Sequence, residues 1–265
     1  MTFRFRASER WSVAAAGAVA GIIAGWLGYN MGGWLMAVPL AALGAAIGTA
    51  GRHATLRQKY VWDAQFAAVA QRNGWTMETG LKGGPYGALP GFLPFSRGRD
   101  QRAHRALGGR LEGRPFWVMD AAYTTGSGKS QQVHSVSAVL VGMPFGLDLT
   151  IQRETAGHKL VDALGGEDID FEDDRFSRTF WVKSADRRAA YDVLHPQALQ
   201  FLLDRGTEWT WHWLGGRLMM ARPGKLQPTE CEALVAQAAA FVALLPRHLV
   251  EARKAADRSA WLSPL

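Results

Sequence analysis

WSVAAAGAVAGIIAGWLGYNMGGWLMAVPLAALGAAIGTAG fills residues 11–51 and decides how the chain is built. Its 41 residues include no Asp, Glu, Lys, Arg or His. A bilayer core of about 30 Å takes roughly 20 helical residues, so one straight helix would be about twice too long. Two spans with a reversal between them fit better. Tyr29-Asn30-Met31-Gly32-Gly33 supplies the reversal, because Asn and Gly adopt the positive φ that a tight turn needs. The expected spans are 11–29 and 33–51, with a basic tail over 1–10.

Twelve of the 41 residues are Ala and nine are Gly. Such helices are only moderately apolar, but their backbones can approach closely. Gly17, Gly21 and Gly25 stand on one helical ridge, and Gly44 and Gly48 on another. Small-xxx-small ridges favour tight packing in lipid. Two uses follow: the spans pack on each other, or the ridge of Gly17, Gly21 and Gly25 makes a homodimer. Trp11, Trp26 and Trp34 lie near the span ends, as interfacial anchors do. A secretory signal is the wrong length, since its apolar region is only about 7–15 residues. A buried helical hairpin in a soluble protein is the other competitor. Arg4, Arg6 and Arg10 precede the run, and Arg52, Arg57 and Lys59 follow it. Basic flanks stay on the cytoplasmic side, so both termini are expected inside the cell membrane.

The chain has 265 residues, net charge +7 and a single cysteine, Cys231. A disulfide framework within the chain is excluded. The basic excess is modest. It suits a protein beside an anionic leaflet, and the bilayer, rather than nucleic acid, is the expected partner.

Residues 52–265 read as a cytosolic α+β domain. A helix is expected over 52–73, continuing from the second span as a stalk and stopped by Asn73-Gly74. Residues 80–96 are rich in Gly and Pro and read as a loop. Its apolar side chains, among them Tyr86, Leu89, Phe92 and Phe95, either pack on the domain or dip into the headgroup layer. Next comes a basic stretch over 97–114, with Arg97, Arg99, Arg102, Arg105, Arg110 and Arg114 against Asp100 and Glu112; it reads either as a solvated charged face or, through Arg97, Arg99, Arg102 and Arg105, as an anionic leaflet contact. From about 103 to 153 the pattern is an antiparallel meander, with Gly-rich breaks at 108–109, 126–128 and 142–146. A short helix is expected over 157–164. Asp186 caps a helix through Leu194, and a further helix runs from Pro196 to Leu203. A hairpin is expected across Gly215-Gly216. The last helix spans 228–245, with Cys231, Leu234, Val235, Ala238, Phe241 and Val242 on one face.

No stretch carries recognisable catalysis. Gly126-Ser127-Gly128-Lys129-Ser130 looks like the end of a phosphate-binding loop, but Tyr123 stands where its first Gly belongs and a strand follows where a helix should. It reads as a hairpin turn. Phe116-Trp117-Val118-Met119-Asp120, reminiscent of an acidic strand motif for magnesium, lies on the same hairpin. The acidic run 167–174 fails the EF-hand pattern, with Asp173 and Thr179 at the required Gly and Glu positions. The seven His show no metal-ligand spacing. Trp209, Trp211 and Trp213 alternate on one strand face, as a core face beneath the last helix would. Accordingly no catalytic residue, cofactor or metal is assigned.

Gly165-Gly166-Glu167-Asp168-Ile169-Asp170-Phe171-Glu172 is followed by Phe176-x-Arg178-x-Phe180-x-Val182-x-Ser184-x-Asp186-Arg187-Arg188-x-Ala190-Tyr191-Asp192-Val193-Leu194-His195-Pro196. With Asn73-Gly74-Trp75 and Tyr123-Thr124-Thr125-Gly126-Ser127-Gly128-Lys129, this resembles a family of uncharacterised bacterial membrane proteins. That family is typical of high-GC Gram-positive bacteria, with N-terminal spans and a cytosolic domain of unknown function. The resemblance covers roughly residues 60–222. It implies a fold and a location, and no activity. The sequence reading is therefore a membrane-tethered interaction or scaffold domain. The alternative is a ligand-sensing or enzymatic domain with a pocket near Trp209, Trp211 and His212.

Overall fold

The computed structural model describes residues 7–154, 169 and 171–246. By its contacts the chain divides into two compact units between Gln65 and Phe66. The first unit is helical. Helix α1 runs Ala7–Gly32 and α2 runs Trp34–Asn73. Both are long and apolar enough to cross a membrane. The reversal is sharper than the sequence suggested. Gly33 alone takes a positive φ, 65°, while Asn30 stays helical and its side-chain amide donates to Trp26 O at 2.8 Å. No break separates the apolar part of α2 from its charged part.

The glycine ridges are spent within the chain. A Cβ at Gly44 would lie 2.6 Å from Ala20 O, and one at Gly48 would lie 2.6 Å from Ala16 O. Gly17 faces Thr49, while Gly21 and Gly25 face Ala41. The expected homodimer through Gly17, Gly21 and Gly25 therefore loses its surface, since that ridge already holds α2. At the charged ends, Tyr60 donates its hydroxyl proton to Glu9, and Arg52 Nε donates to Ser12 Oγ at 3.4 Å.

The second unit is an antiparallel sheet with short helices. Its strands are β1 Thr76–Lys82, β2 Arg99–Leu111, β3 Arg114–Thr125, β4 Gln132–Arg153, β5 Phe180–Ser184 and β6 Thr210–Pro223. Helices α3 Asp174–Thr179, α4 Arg187–Val193, α5 Pro196–Arg205 and α6 Cys231–Ala243 complete it. The order is β1-β2-β3-β4, with β5 and β6 both on β4. Leu149 and Ile151 of β4 pair with β5 on one side and β6 on the other.

Three expected interruptions are not turns. Gly108 and Gly109 lie inside β2, the 142–146 break lies inside β4, and the hairpin across Gly215-Gly216 does not form, because β6 is one strand. The last two irregularities face each other. The β4–β6 register shifts between Gly142 and Leu147, and Gly215, at φ 56°, is the partner of Leu147. Paired glycines let both strands bend together and continue, which is the use of a bulge rather than a reversal. Strand β1 likewise reaches into the expected loop. By contrast, Gly126-Ser127-Gly128-Lys129-Ser130 does close a hairpin, from Thr125 to its partner Gln132.

Residues 85–97 form three short 3-10 turns. Leu89, Phe92 and Phe95 are buried, with Trp117, Met119, Val136, Ala138, Leu140 and Met219, on one face of the sheet. These side chains are core, so the headgroup reading of the loop fails for them. Asp186 caps its helix as expected, and Asp173 is a second acidic cap that the sequence reading did not name. Asp173 accepts from Arg175 and Phe176 N–H, and Asp186 accepts from Ala189 N–H. The expected helix over 157–164 and most of the acidic run fall outside the described residues.

Candidate functional site

Cross-strand register assembles a row that lies far apart in sequence. Arg105 pairs with Asp120, Asp120 with Ser137, and Ser137 with Arg222. Directly opposite residues share a sheet face, so four polar side chains cross the middle of four strands. Arg105 Nη1 meets Asp120 Oδ2 at 2.9 Å, with side-chain exposures of 11% and 5%. The guanidinium also lies 5.5 Å from the Phe66 ring centre. Ser137 donates to Gly224 O at 3.1 Å. Arg222 ends the row, 2.7 Å from Glu230, 3.6 Å from Glu208 and 4.8 Å over the Trp209 ring.

Glu230 is held at both oxygens, by Arg222 and by Gln227 N–H in a capping box at the start of α6. Burial opposes its ionisation, but the hydrogen bonds from Arg222 and Gln227 outweigh that and lower its pKa. Two grooves flank Arg222. One of about 440 Å³ includes Ser137, Lys225 and Gln227; the other, about 560 Å³, includes Trp209, Arg205 and Gln237. Their shared cation already has two carboxylates.

The chemistry of the row is that of charges neutralised in place. Ser137 gives its proton to a carbonyl. Cys231, the nearby thiol, is buried; burial and then the Glu230 charge push its pKa up to about 12. A thiol that stays protonated is a poor nucleophile. Among the described residues no group of three His, Cys, Asp or Glu side chains is placed to hold a metal. His195 and His134 are each satisfied locally, by Leu244 O at 2.8 Å and Thr125 Oγ1 at 2.7 Å.

The expected pocket near Trp209, Trp211 and His212 does not open there. Trp211 packs 4.8 Å from Phe241 of α6, and Trp213 packs 4.7 Å from Phe145. Both are fully buried. Trp209 borders one of the grooves beside Arg222. His212 points to the other face, where Leu93 N–H donates to its Nδ1 at 3.0 Å and Phe92 packs on the ring. Asp120 is not free for magnesium either, being tied to Arg105. Nor does the anticipated set of four leaflet arginines survive intact. Arg105 is consumed by Asp120, and Arg97 donates to Gln152 at 3.0 Å. The row itself left one trace in sequence, a lone acid ending the apolar run 115–119.

His212 makes a pH prediction. Burial, partly opposed by Asp148, lowers its pKa below the ordinary 6.5. The unfolded chain thus takes up a proton that the folded chain refuses. That contribution to stability is complete above 6.5 and is lost as pH falls from 6.5 toward the folded value. Urea denaturation of the full chain in detergent, stepped from neutral to about pH 5, is expected to show this decline. His212→Gln should lessen it; equal declines in both proteins would refute the assignment.

No protein-family model matches the chain, and no curated protein is similar to it. Among solved structures, the mycobacterial trehalose monomycolate transport factor A is similar at 13% identity and a TM-score of 0.45. The likeness covers 69% of this chain and 95% of that one.

Proposed function

We propose that residues 11–51 anchor this chain in the cell membrane as two spans with both flanks cytoplasmic, and that the domain from residue 52 onward works there as a non-enzymatic interaction or scaffold module. One observation carries the reading. The small residues of α1 and α2 face each other, while Ile22 (72% exposed), Trp34 (76%) and Leu35 (90%) face outward. An uncharged apolar sheath of this length is a liability in water and the ordinary surface of a protein in lipid. The resemblance to bacterial membrane proteins with N-terminal spans agrees with it. On the side of the domain, the most conspicuous polar row is occupied by its own ion pairs, which favours binding over turnover.

The test uses the full chain. Alkaline carbonate should leave it in the membrane, and a reporter fused at Leu265 should behave as cytoplasmic. Release by carbonate, or activity of an exterior-only reporter, would overturn the anchoring. Turnover of a nucleotide, ester or peptide by the purified full chain would overturn the non-enzymatic half.

A further inference from the structure

We infer that Lys82, Arg99, Arg102, His104 and Lys225 form one surface for the anionic headgroups of a lipid leaflet. The inference rests on the membrane anchoring just described, and it names a partner for the domain.

The surface is built by register. Next to the polar row lies a second one: Lys82 of β1 pairs with Arg102 of β2, Arg102 with Ala122 of β3, and Ala122 with Ser135 of β4. Gly224 N–H donates to Ser135 O at 2.9 Å, which sets Lys225 at the far end. Arg99 follows opposite Thr124. Ala122 and Thr124 lie two and four residues beyond Asp120 on an unbroken strand, so all these residues share its face. His104 sits in a bulge of β2. Lys82, Arg99, Arg102, His104 and Lys225 are all exposed.

This is not the basic run read along the sequence. Arg97 and Arg105 are engaged elsewhere. Arg110 stands eight residues beyond Arg102, about 26 Å along the strand. The three-dimensional set keeps Arg99 and Arg102 and recruits Lys82 and Lys225.

Two observations make the set more than a solvated face. Lys82 and Arg102 are directly opposite each other, and like charges in that position destabilise a sheet. A layer of anions removes that cost. His104 registers the same field. Partial desolvation of its ring lowers its pKa, and Arg102, Arg105 and Lys225 lower it further against the pull of Asp120. Arg99 has a weak counter-charge in Asp100 at 3.9 Å, both half exposed. A leaflet is favoured over other polyanions because an anchored domain meets it at high effective concentration.

The experiment reconstitutes the full chain carrying Val133→Cys. Val133 pairs with Thr124 on this face and is 67% exposed. The buried Cys231, with its thiol pushed up to about 12, stays unlabelled. A fluorophore at position 133 is read against nitroxide-headgroup lipid in vesicles of phosphatidylcholine, with and without phosphatidylglycerol. Quenching is expected with phosphatidylglycerol and should fade in about 1 M salt. Lys82→Gln, Arg102→Gln and Lys225→Gln should each lower the docked-to-undocked ratio about fivefold, and all three together about a hundredfold. Neutralising these exposed like charges is expected to leave folding intact. Arg110→Gln should leave docking unchanged.

Equal quenching in both vesicles, or quenching indifferent to the triple variant, overturns the surface. A stronger response to an oligonucleotide than to phosphatidylglycerol reassigns it and overturns it too. Carbonate extraction of the same vesicles separates the failures. A released chain removes the anchoring, whereas a retained chain without quenching removes the leaflet surface alone.

Discussion

Replacing Asp120 by Ala is expected to cost about 3–5 kcal/mol of stability, because it breaks a buried ion pair and takes from the Arg105 cation a carboxylate 2.9 Å away. Asp120 is 4% exposed and Arg105 has Phe66 against its guanidinium. The loss comes from a buried cation with less compensation, not from the net worth of the pair. A double variant, Arg105→Met with Asp120→Leu, should therefore recover most of it. Urea denaturation of the full chain in detergent, followed by circular dichroism, measures both. A loss of only about 0–1 kcal/mol for Asp120→Ala would place the pair among solvated surface bridges and contradict its burial.

Trp211→Ala is expected to cost about 3–5 kcal/mol as well, by a different route. The side chain is fully buried between Phe241 of α6 and Phe201 of α5, with ring centres 4.8 and 6.3 Å away. Its indole Nε1 has no hydrogen-bond partner among the described residues. Packing, then, is what the residue contributes. Trp211→Phe keeps an aromatic ring and gives up no hydrogen bond, so it should retain most of the stability. If Trp211→Ala were nearly neutral, the residue would line a cleft, and the ligand-pocket reading would return. The same denaturation assay decides it.

Much of this molecule could be read from local pattern. Uncharged length and small residues marked the hairpin, and the Gly ridges marked its packing. Asp186 before Arg187-Arg188-Ala189 and Pro196 before a Leu-rich run announced their helices, since caps and periodicity are local properties. What escaped was anything set by register. Gly142, Gly146, Gly215 and Gly216 look like turn residues one strand at a time. Only their position opposite one another makes them a shared bend. Arg105, Asp120, Ser137 and Arg222 lie in four different strands, and no spacing rule joins them. The basic surface misled for the same reason. Neighbours in sequence such as Arg97 and Arg105 went to different partners, while Lys82 arrived from β1 and Lys225 from just beyond the end of β6.

Strand β4 gives the domain a timetable. It pairs with β3, then β5, then β6, and the last of these closes only at Pro223. During synthesis α1 and α2 leave the ribosome before the sheet does. The stretch from Arg153 to Pro223 takes about 4–14 seconds to make. For that interval the edge of β4 that takes β6, Val139 and Leu149 included, stays unsatisfied. The proposed membrane anchoring would keep a nascent chain, for those seconds, away from other unfinished copies, whose open β4 edges are its most obvious wrong partners.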